Sequence, residues 1–569
     1  MSVKSSFFKK SYPIWVIAFI SILFVMPQIL NRSIIFGADV PFHFNRIYDI
    51  YMQIKTHNFS LLQTNYGFNQ TGRIINALYG PGFAFILGGI LSVLHSWLKF
   101  QIVTSFIIFM TSGTLMYKLS YKLGAKKKFA LISAILFMSS YWISSWVTVE
   151  SFMAWGTMLM PLIVMVGLDM INYDESGLSI VKLAVALALV TQVHVLSALF
   201  SAGVVLVFFI VGMIRNKQKI QLAYKTVIAG ALYLILTFNV WGAMLEVFTS
   251  NSIITPFPVR DMSKETANLS IGKSSIYEVG LILSVVFLVQ IIYIWQNRSK
   301  FSINNVVMTS IGAVFLLLSS NLIPWTLIGN KFVNLQNMLQ FPYRFMTMAS
   351  VLLIATISVT LSKIDTNSKI TWTIFTVGAL LLSMQIYEGF NNSARVWFNN
   401  WPIATGTPVI KTSRFTANEF RRAMKSSDLS QGLKLVTKGY PDYLPTNSKK
   451  EIFKSVDPYA EYSKEVIFNQ KNFHKSVKGD KLTISWNSKK RENINVPVIV
   501  YSRSSFKLNG KKMNHAVMKL SKIGVPTVKS RIGKNTIFLT YRSALINKMT
   551  VSFVLLVWIL CIILIIFRL

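Results

Sequence analysis

The run Gly37-Ala38-Asp39-Val40-Pro41-Phe42-His43-Phe44-Asn45-Arg46 puts a carboxylate, an imidazole and a guanidinium at intervals of four and three residues. That spacing places them on one side of a helix. The first two are proton-transfer groups and the third holds anions. The competing reading makes Asp39 the N-cap of that helix, with Pro41 in its first turn. Glu150, in Trp146-Val147-Thr148-Val149-Glu150-Ser151, is a second acid at an apolar segment's end, either a site carboxylate or a solvated loop residue. His194, between two apolar runs, is a ligand-binding or a structural histidine. In Leu339-Gln340-Phe341-Pro342-Tyr343-Arg344-Phe345, a Pro then an Arg at a helix start can aim a guanidinium at an anion or let it snorkel to lipid phosphate. The six histidines (43, 57, 95, 194, 474 and 515) are scattered. No phosphate-cradling glycine loop, H-E-x-x-H or G-x-S-x-G is present, so ATP hydrolysis is not expected.

The elements that must position these groups are apolar helices. The chain has 569 residues, 53% hydrophobic and 14% charged, with mean hydropathy +0.49. Soluble proteins carry about 25% charged residues. A span needs roughly 20 apolar residues, and lipid leaves backbone groups no partner outside a helix. Twelve spans are expected near 13–30, 100–119, 129–147, 153–171, 180–193, 195–214, 226–244, 277–295, 304–320, 345–362, 370–387 and 549–567. Short basic loops stay cytoplasmic. The clusters at Lys4–Lys10, Lys122–Lys128, Arg215–Lys219, Arg298–Lys300 and Lys363–Lys369 all fall inside if the N-terminus is inside and 81–98 does not cross. That stretch is read as an outer juxtamembrane or re-entrant helix, with a thirteenth span as the alternative. The first apolar run is read as a retained signal anchor, because no small-residue cleavage site follows it. The single Cys561 excludes a disulfide framework and is read as lipid-facing.

Residues 389–546 differ in kind. They hold 29 of the 58 basic residues and nine of the 21 acids. Lys481–Trp486, Val496–Tyr501 and Thr536–Tyr541 alternate like strands, with turn signals at Lys478-Gly479-Asp480 and Asn509-Gly510. The expected fold is a polytopic α-helical membrane protein with a C-terminal extracellular β-rich domain before its last helix. Its domains are 1–388, with an outer juxtamembrane loop at 31–99, then 389–546 and a last helix at 547–569. Both termini are expected in the cytoplasm of a plasma-membrane protein. Of twelve acids outside the soluble domain, Asp174, Glu175 and Asp365 are expected in cytoplasmic loops and Asp169 near that face. Asp39, Asp49, Glu150, Glu246, Asp261, Glu265, Glu278 and Glu388 are expected outside. The helix after Asp39, with Ile47, Ile50, Tyr51 and Ile54 as its apolar stripe, is expected to lie on the outer leaflet.

Four segments carry a resemblance: Gly37-Ala38-Asp39 with Phe42-His43-Phe44-Asn45-Arg46; His194-Val195-Leu196-Ser197-Ala198-Leu199; Leu339–Phe345; and Asp442-Tyr443-Leu444-Pro445. In that order they resemble the bacterial YfhO-like, or 6-pyruvoyl-tetrahydropterin-synthase-related, integral membrane proteins, which look like members of the GT-C glycosyltransferase superfamily. The resemblance implies sugar transfer from a polyprenyl-phosphate donor to an extracellular glycopolymer, lipid or protein. It implies Asp39 as the catalytic base, Arg344 against the leaving phosphate, and His43, Arg46, Glu150 and His194 as substrate-binding. It leaves open a divalent cation, Mg or Mn, on Asp39 and Glu150, although paired acids in the second loop are lacking. Two other classes stay in view, an envelope-lipid transporter or flippase and a non-catalytic envelope scaffold. A nucleic-acid role is excluded, since the basic surface is expected outside and lacks a recognition motif.

Overall fold

The computed structural model describes residues 2–256, 258–364, 368–404, 409–447 and 457–567; Asp365 lies outside them. Among the described residues nine helices are long and apolar enough to cross a bilayer: Ser11–Asn31, Trp97–Lys122, Lys127–Val149, Met153–Ile171, Val195–Arg215, Lys219–Leu236, Pro342–Ile364, Lys369–Phe398 and Leu545–Phe567. The expected spans at 180–193, 277–295 and 304–320 are shorter helices, Ile180–Val193, Leu281–Gln296 and Ile303–Ser319. At about 1.5 Å per residue each falls short of the ~30 Å hydrocarbon core. Length and composition alone thus identify nine spans among the described residues and leave the other three expected spans open. Large apolar side chains on these helices face outward, among them Trp15, Phe19, Leu556, Ile559 and Ile563. Such a belt suits lipid, and the chain is a multi-pass membrane protein.

The helices have two distinct ends. At one, Lys122 Nζ meets Asp169 Oδ1 at 2.6 Å, Asp174 accepts the Lys217 N–H, Ser362 Oγ accepts the Lys126 N–H, and Lys363 Nζ reaches the Lys300 carbonyl. At the other end lie Asp39, Glu150, His194 and Arg344. The helix Pro81–Leu94 keeps both its termini at this second end. The Gly80 carbonyl accepts from Arg46 before it, and the Trp97 indole donates to the Leu429 carbonyl after it.

Three helix expectations change. The helix Val40–Thr56 is buried along most of its length, not laid on a leaflet. Its polar face is covered by the following loop. Asp49 accepts the Tyr66 and Gly67 N–H groups, Asn45 accepts that of Phe68, and Gln53 accepts that of Ser60. The expected span 226–244 breaks at Thr237, between Lys219–Leu236 and Phe238–Ser250. Cys561 does not face lipid but packs among Ala184, Val185, Ala188 and Leu236.

The C-terminal part opens with short helices at Ala417–Met424 and Ser430–Leu435 and a two-stranded pair, β1 (Ile410–Lys411) with β2 (Val436–Thr437). Eight strands follow: β3 (His474–Lys478), β4 (Lys481–Ser488), β5 (Asn493–Asn495), β6 (Ser504–Leu508), β7 (Lys511–Lys512), β8 (Lys519–Leu520), β9 (Pro526–Lys529) and β10 (Gly533–Tyr541). They form two antiparallel sheets, β3-β4-β10-β6-β7 and β5-β9-β8. Leu482, Ile484, Val528, Ile537 and Leu539 belong to their shared core. The β6–β7 turn uses Asn509 and Gly510, both at positive φ, as a tight hairpin requires. Val496–Tyr501 is not a strand. Pro497 has no N–H, and the donors of Val496, Val500 and Ile499 go to Pro526, Gly524 and Thr71. This buried segment is wedged between the sheets and the first long loop rather than paired in a ladder.

Candidate functional site

A cavity of about 970 Å³ opens between this second end and the C-terminal part. Asp39, His43, His194 and Arg344 line it. Arg46 and Glu150 do not.

Asp39 is held by backbone. Gly37 lies so close to the second loop that a Cβ there would overlap the Thr148 carbonyl oxygen, so only glycine fits. This approach lets the Asp39 N–H donate to the Val149 carbonyl at 3.0 Å. Asp39 sits at the N-cap position, yet its side chain makes no cap hydrogen bond. The carboxylate is left to the cavity, 4.0 Å from Lys438 Nζ. Its side chain is 46% exposed, to a partly open cavity. Desolvation by burial pushes its pKa up, and Lys438 and Arg344 oppose the rise.

Beneath it, the His43 ring stacks on Phe152 at 4.2 Å, and its Nδ1 has no partner. Burial, then Arg46, His194 and Lys438, push His43 well below the usual imidazole range, so it is neutral. Arg46 is fully buried. It donates to Asn76 Oδ1, the Tyr79 carbonyl and the Gly80 carbonyl, and its guanidinium lies over the Phe152 and Tyr79 rings. Arg46 is thus a support under the cavity wall, not a lining group.

Glu150 is also turned inward. Its Oε1 accepts from Gln101 Nε2 at 3.0 Å, and Gln101 in turn bonds both the N–H and the carbonyl of Ile35. Burial holds the Glu150 carboxyl well above its ordinary range. The residue braces the start of the first long loop. Glu150 does not line the cavity with Asp39; its Oε1 is taken by Gln101, while its Oε2 is buried without a hydrogen-bond partner. Among the described residues no group of three His, Cys, Asp or Glu could hold a metal ion.

On the opposite wall, His194 caps the helix Val195–Arg215. Its Nδ1 accepts the Ser197 N–H, which leaves the ring proton on Nε2. Burial lowers His194 to about 3, with Arg344 adding to the effect, so it works as a neutral donor. Arg344 follows a turn at Gln340, a non-glycine residue at φ 56°. One guanidinium nitrogen donates to the Leu339 carbonyl at 2.8 Å, and the group lies over the Phe341 ring.

The residues 438–443 are functional candidates that local spacing could not find. Lys438 Nζ and the Tyr440 hydroxyl both donate to the Ala38 carbonyl. Asp442 and Tyr443 line the cavity with them. The segment is clamped by Arg73, whose two terminal nitrogens donate to the Tyr440 and Asp442 carbonyls at 2.6 Å each. Burial raises Asp442 to about 6, against the pull of Arg73 and Lys438. Two local signals mark it: Asp442-Tyr443-Leu444-Pro445 is one of the four segments that carry the resemblance, and Lys438–Pro445 is a polar, aromatic, turn-rich run. A further set, Arg260, Asp261, Lys264 and Glu265, lines the far side, with Asp261 accepting from Thr326.

No protein-family model and no curated protein matches the chain. Among solved structures, the cryo-EM structure of arabinofuranosyltransferase AftD from Mycobacteria is similar, with 15% identity and a TM-score of 0.42, over 68% of this chain and 27% of that one. The chain thus corresponds to well under half the length of that protein, and a likeness this slight carries no argument about chemistry.

Proposed function

We propose that the chain is a GT-C-like membrane glycosyltransferase. It moves a sugar from a polyprenyl-phosphate donor to an extracellular glycopolymer, lipid or protein. The observation that carries this reading is Asp39: a carboxylate at an N-cap position that makes no cap bond and lines a cavity beside Lys438 and in the field of Arg344. The sequence resemblance supplies the reaction class. In this mechanism an acceptor hydroxyl attacks the anomeric carbon as its proton passes to Asp39. The bond from that carbon to the phosphate oxygen breaks, and the polyprenyl phosphate leaves as an anion held by Arg344. A raised pKa suits a base that must work near neutrality. His43 and His194 line the pocket as neutral groups, and His194 Nε2–H can donate to a substrate oxygen. The cavity end would then be the outer face, with the basic loops in the cytoplasm.

The test uses the full chain in proteoliposomes with polyprenyl-phosphate sugars and envelope acceptors. Asp39→Asn is expected to lower transfer by roughly 10²–10⁴-fold while thermal unfolding stays as in the wild type. Full transfer by that variant overturns the assignment.

A further inference from the structure

The cavity holds a second carboxylate, and the mechanism above leaves it unused. Asp442 Oδ1 is buried and has no hydrogen-bond partner. Arg73 does not supply one, because it spends its two terminal nitrogens on the carbonyls of Tyr440 and of Asp442 itself. The backbone is therefore fixed from behind, and the residue stands on the cavity wall with Oδ1 shielded and unpartnered. Buried polar atoms are satisfied as a rule, and an exception on a cavity wall calls for donors from a ligand.

The neighbours say which donors. The rings of Tyr79, Tyr440, Tyr443 and Tyr459 line the same cavity, with Tyr79 and Tyr443 edge to face at 5.9 Å. Flat rings beside a carboxylate suit a sugar, whose C–H face lies on aromatic carbon and whose hydroxyls donate to the carboxylate. The phosphate is left to Arg344, a cation that lines the same cavity and acts on Asp39 but is not among the charges acting on Asp442.

We propose that Asp442, with these tyrosines, is the sugar-recognition subsite: it selects the transferred sugar through its hydroxyls, while Arg344 takes the phosphate. This rests on the glycosyl-transfer reading. It also gives the C-terminal part a direct share in specificity, since the helical part alone lacks this acid.

The experiment measures affinity of the full-length protein in nanodiscs for undecaprenyl phosphate, bare or carrying glucose, galactose, mannose or N-acetylglucosamine. The wild type is expected to prefer at least one sugar-bearing lipid over the bare one by roughly tenfold. Asp442→Asn is expected to bind the bare lipid as the wild type does and to lose that preference. Asp39→Asn is expected to keep it. Should Asp442→Asn not fold, Asp442→Glu carries the test, because it keeps the charge but moves the oxygens. A preference unchanged in the Asp442 variant overturns the inference and leaves the transfer reading standing. A wild type that binds bare lipid without preferring any sugar also overturns it. A wild type that binds none of these lipids overturns both.

Discussion

The two ends of the helical part use charge in opposite ways. At the basic end, Lys122 and Asp169 form a short pair, yet their side chains are 40% and 27% exposed, and the Lys363 ammonium bonds the Lys300 carbonyl. Water screens such charges, and their number matters more than their geometry. At the cavity end Arg46, Glu150 and Asp442 are desolvated and individually placed. Asp39 has one cation at 4.0 Å, Asp442 has an unpartnered oxygen, and Arg46 and Glu150 brace loops while each keeps one buried polar atom unpartnered. An excess of cations orients a chain; a scarce, imperfectly paired set makes a site. The largest effects of mutation should therefore fall at the cavity end, even where the altered residue never meets substrate.

Arg73 is the sharpest case. It is fully buried, and charge-assisted bonds of this kind contribute about 1.5–3 kcal/mol each. Arg73→Met leaves the Tyr440 and Asp442 carbonyls without their donor. We expect a loss of about 3 kcal/mol in unfolding measurements, together with loss of transfer as Lys438 and Asp442 shift. Arg73→Lys, which lacks the planar fork, should recover only part of each. A wild-type stability in Arg73→Met would mean that this clamp is not what holds the segment.

Lys438 gives a smaller, pH-dependent effect. Transfer needs Asp39 ionised, so the rate should fall as pH drops through its pKa. Burial has already raised that pKa, and Lys438 is the first of the two cations that lower it. Lys438→Met removes that help, so the Asp39 pKa rises further and the acid limb of the pH–rate profile moves to higher pH. A limb that stays in place, or moves to lower pH, would show that Asp39 is not the titrating base.

How much of this could be read from residues alone depended on distance along the chain. Apolar runs long enough to span declare themselves, and so does the Asp39–His43 spacing, because both are written within one helix. The cover over Val40–Thr56 is written elsewhere: its stripe was legible, but the loop amides that satisfy Asn45 and Asp49 come about twenty residues later. Lys438 meets the Ala38 carbonyl across 400 residues, a contact that no local period encodes. Val496–Tyr501 misled because its apolar residues are buried on every side and Pro497 interrupts the ladder. Glu150 misled because a loop acid next to a span can brace as well as bind; only the Gln101–Ile35 bonds distinguish the two.

The smallest effect is expected at the other end, and it completes the contrast. Lys122→Ala removes a 2.6 Å ion pair with Asp169, shorter than any contact Asp39 makes with a cation. If distance alone set the worth of a charge pair, this should be the costliest change of all. Exposed pairs instead contribute about 0–1 kcal/mol, because water offers each partner nearly as much as the other does. Lys122 also donates to the Met165 carbonyl, one turn before Asp169 on the helix Met153–Ile171. We therefore expect Lys122→Ala to shift unfolding by under about 1 kcal/mol and to leave transfer and its pH profile unchanged. A loss of transfer in this variant would show that the basic end communicates with the cavity, and that the division of labour between the two ends is wrong.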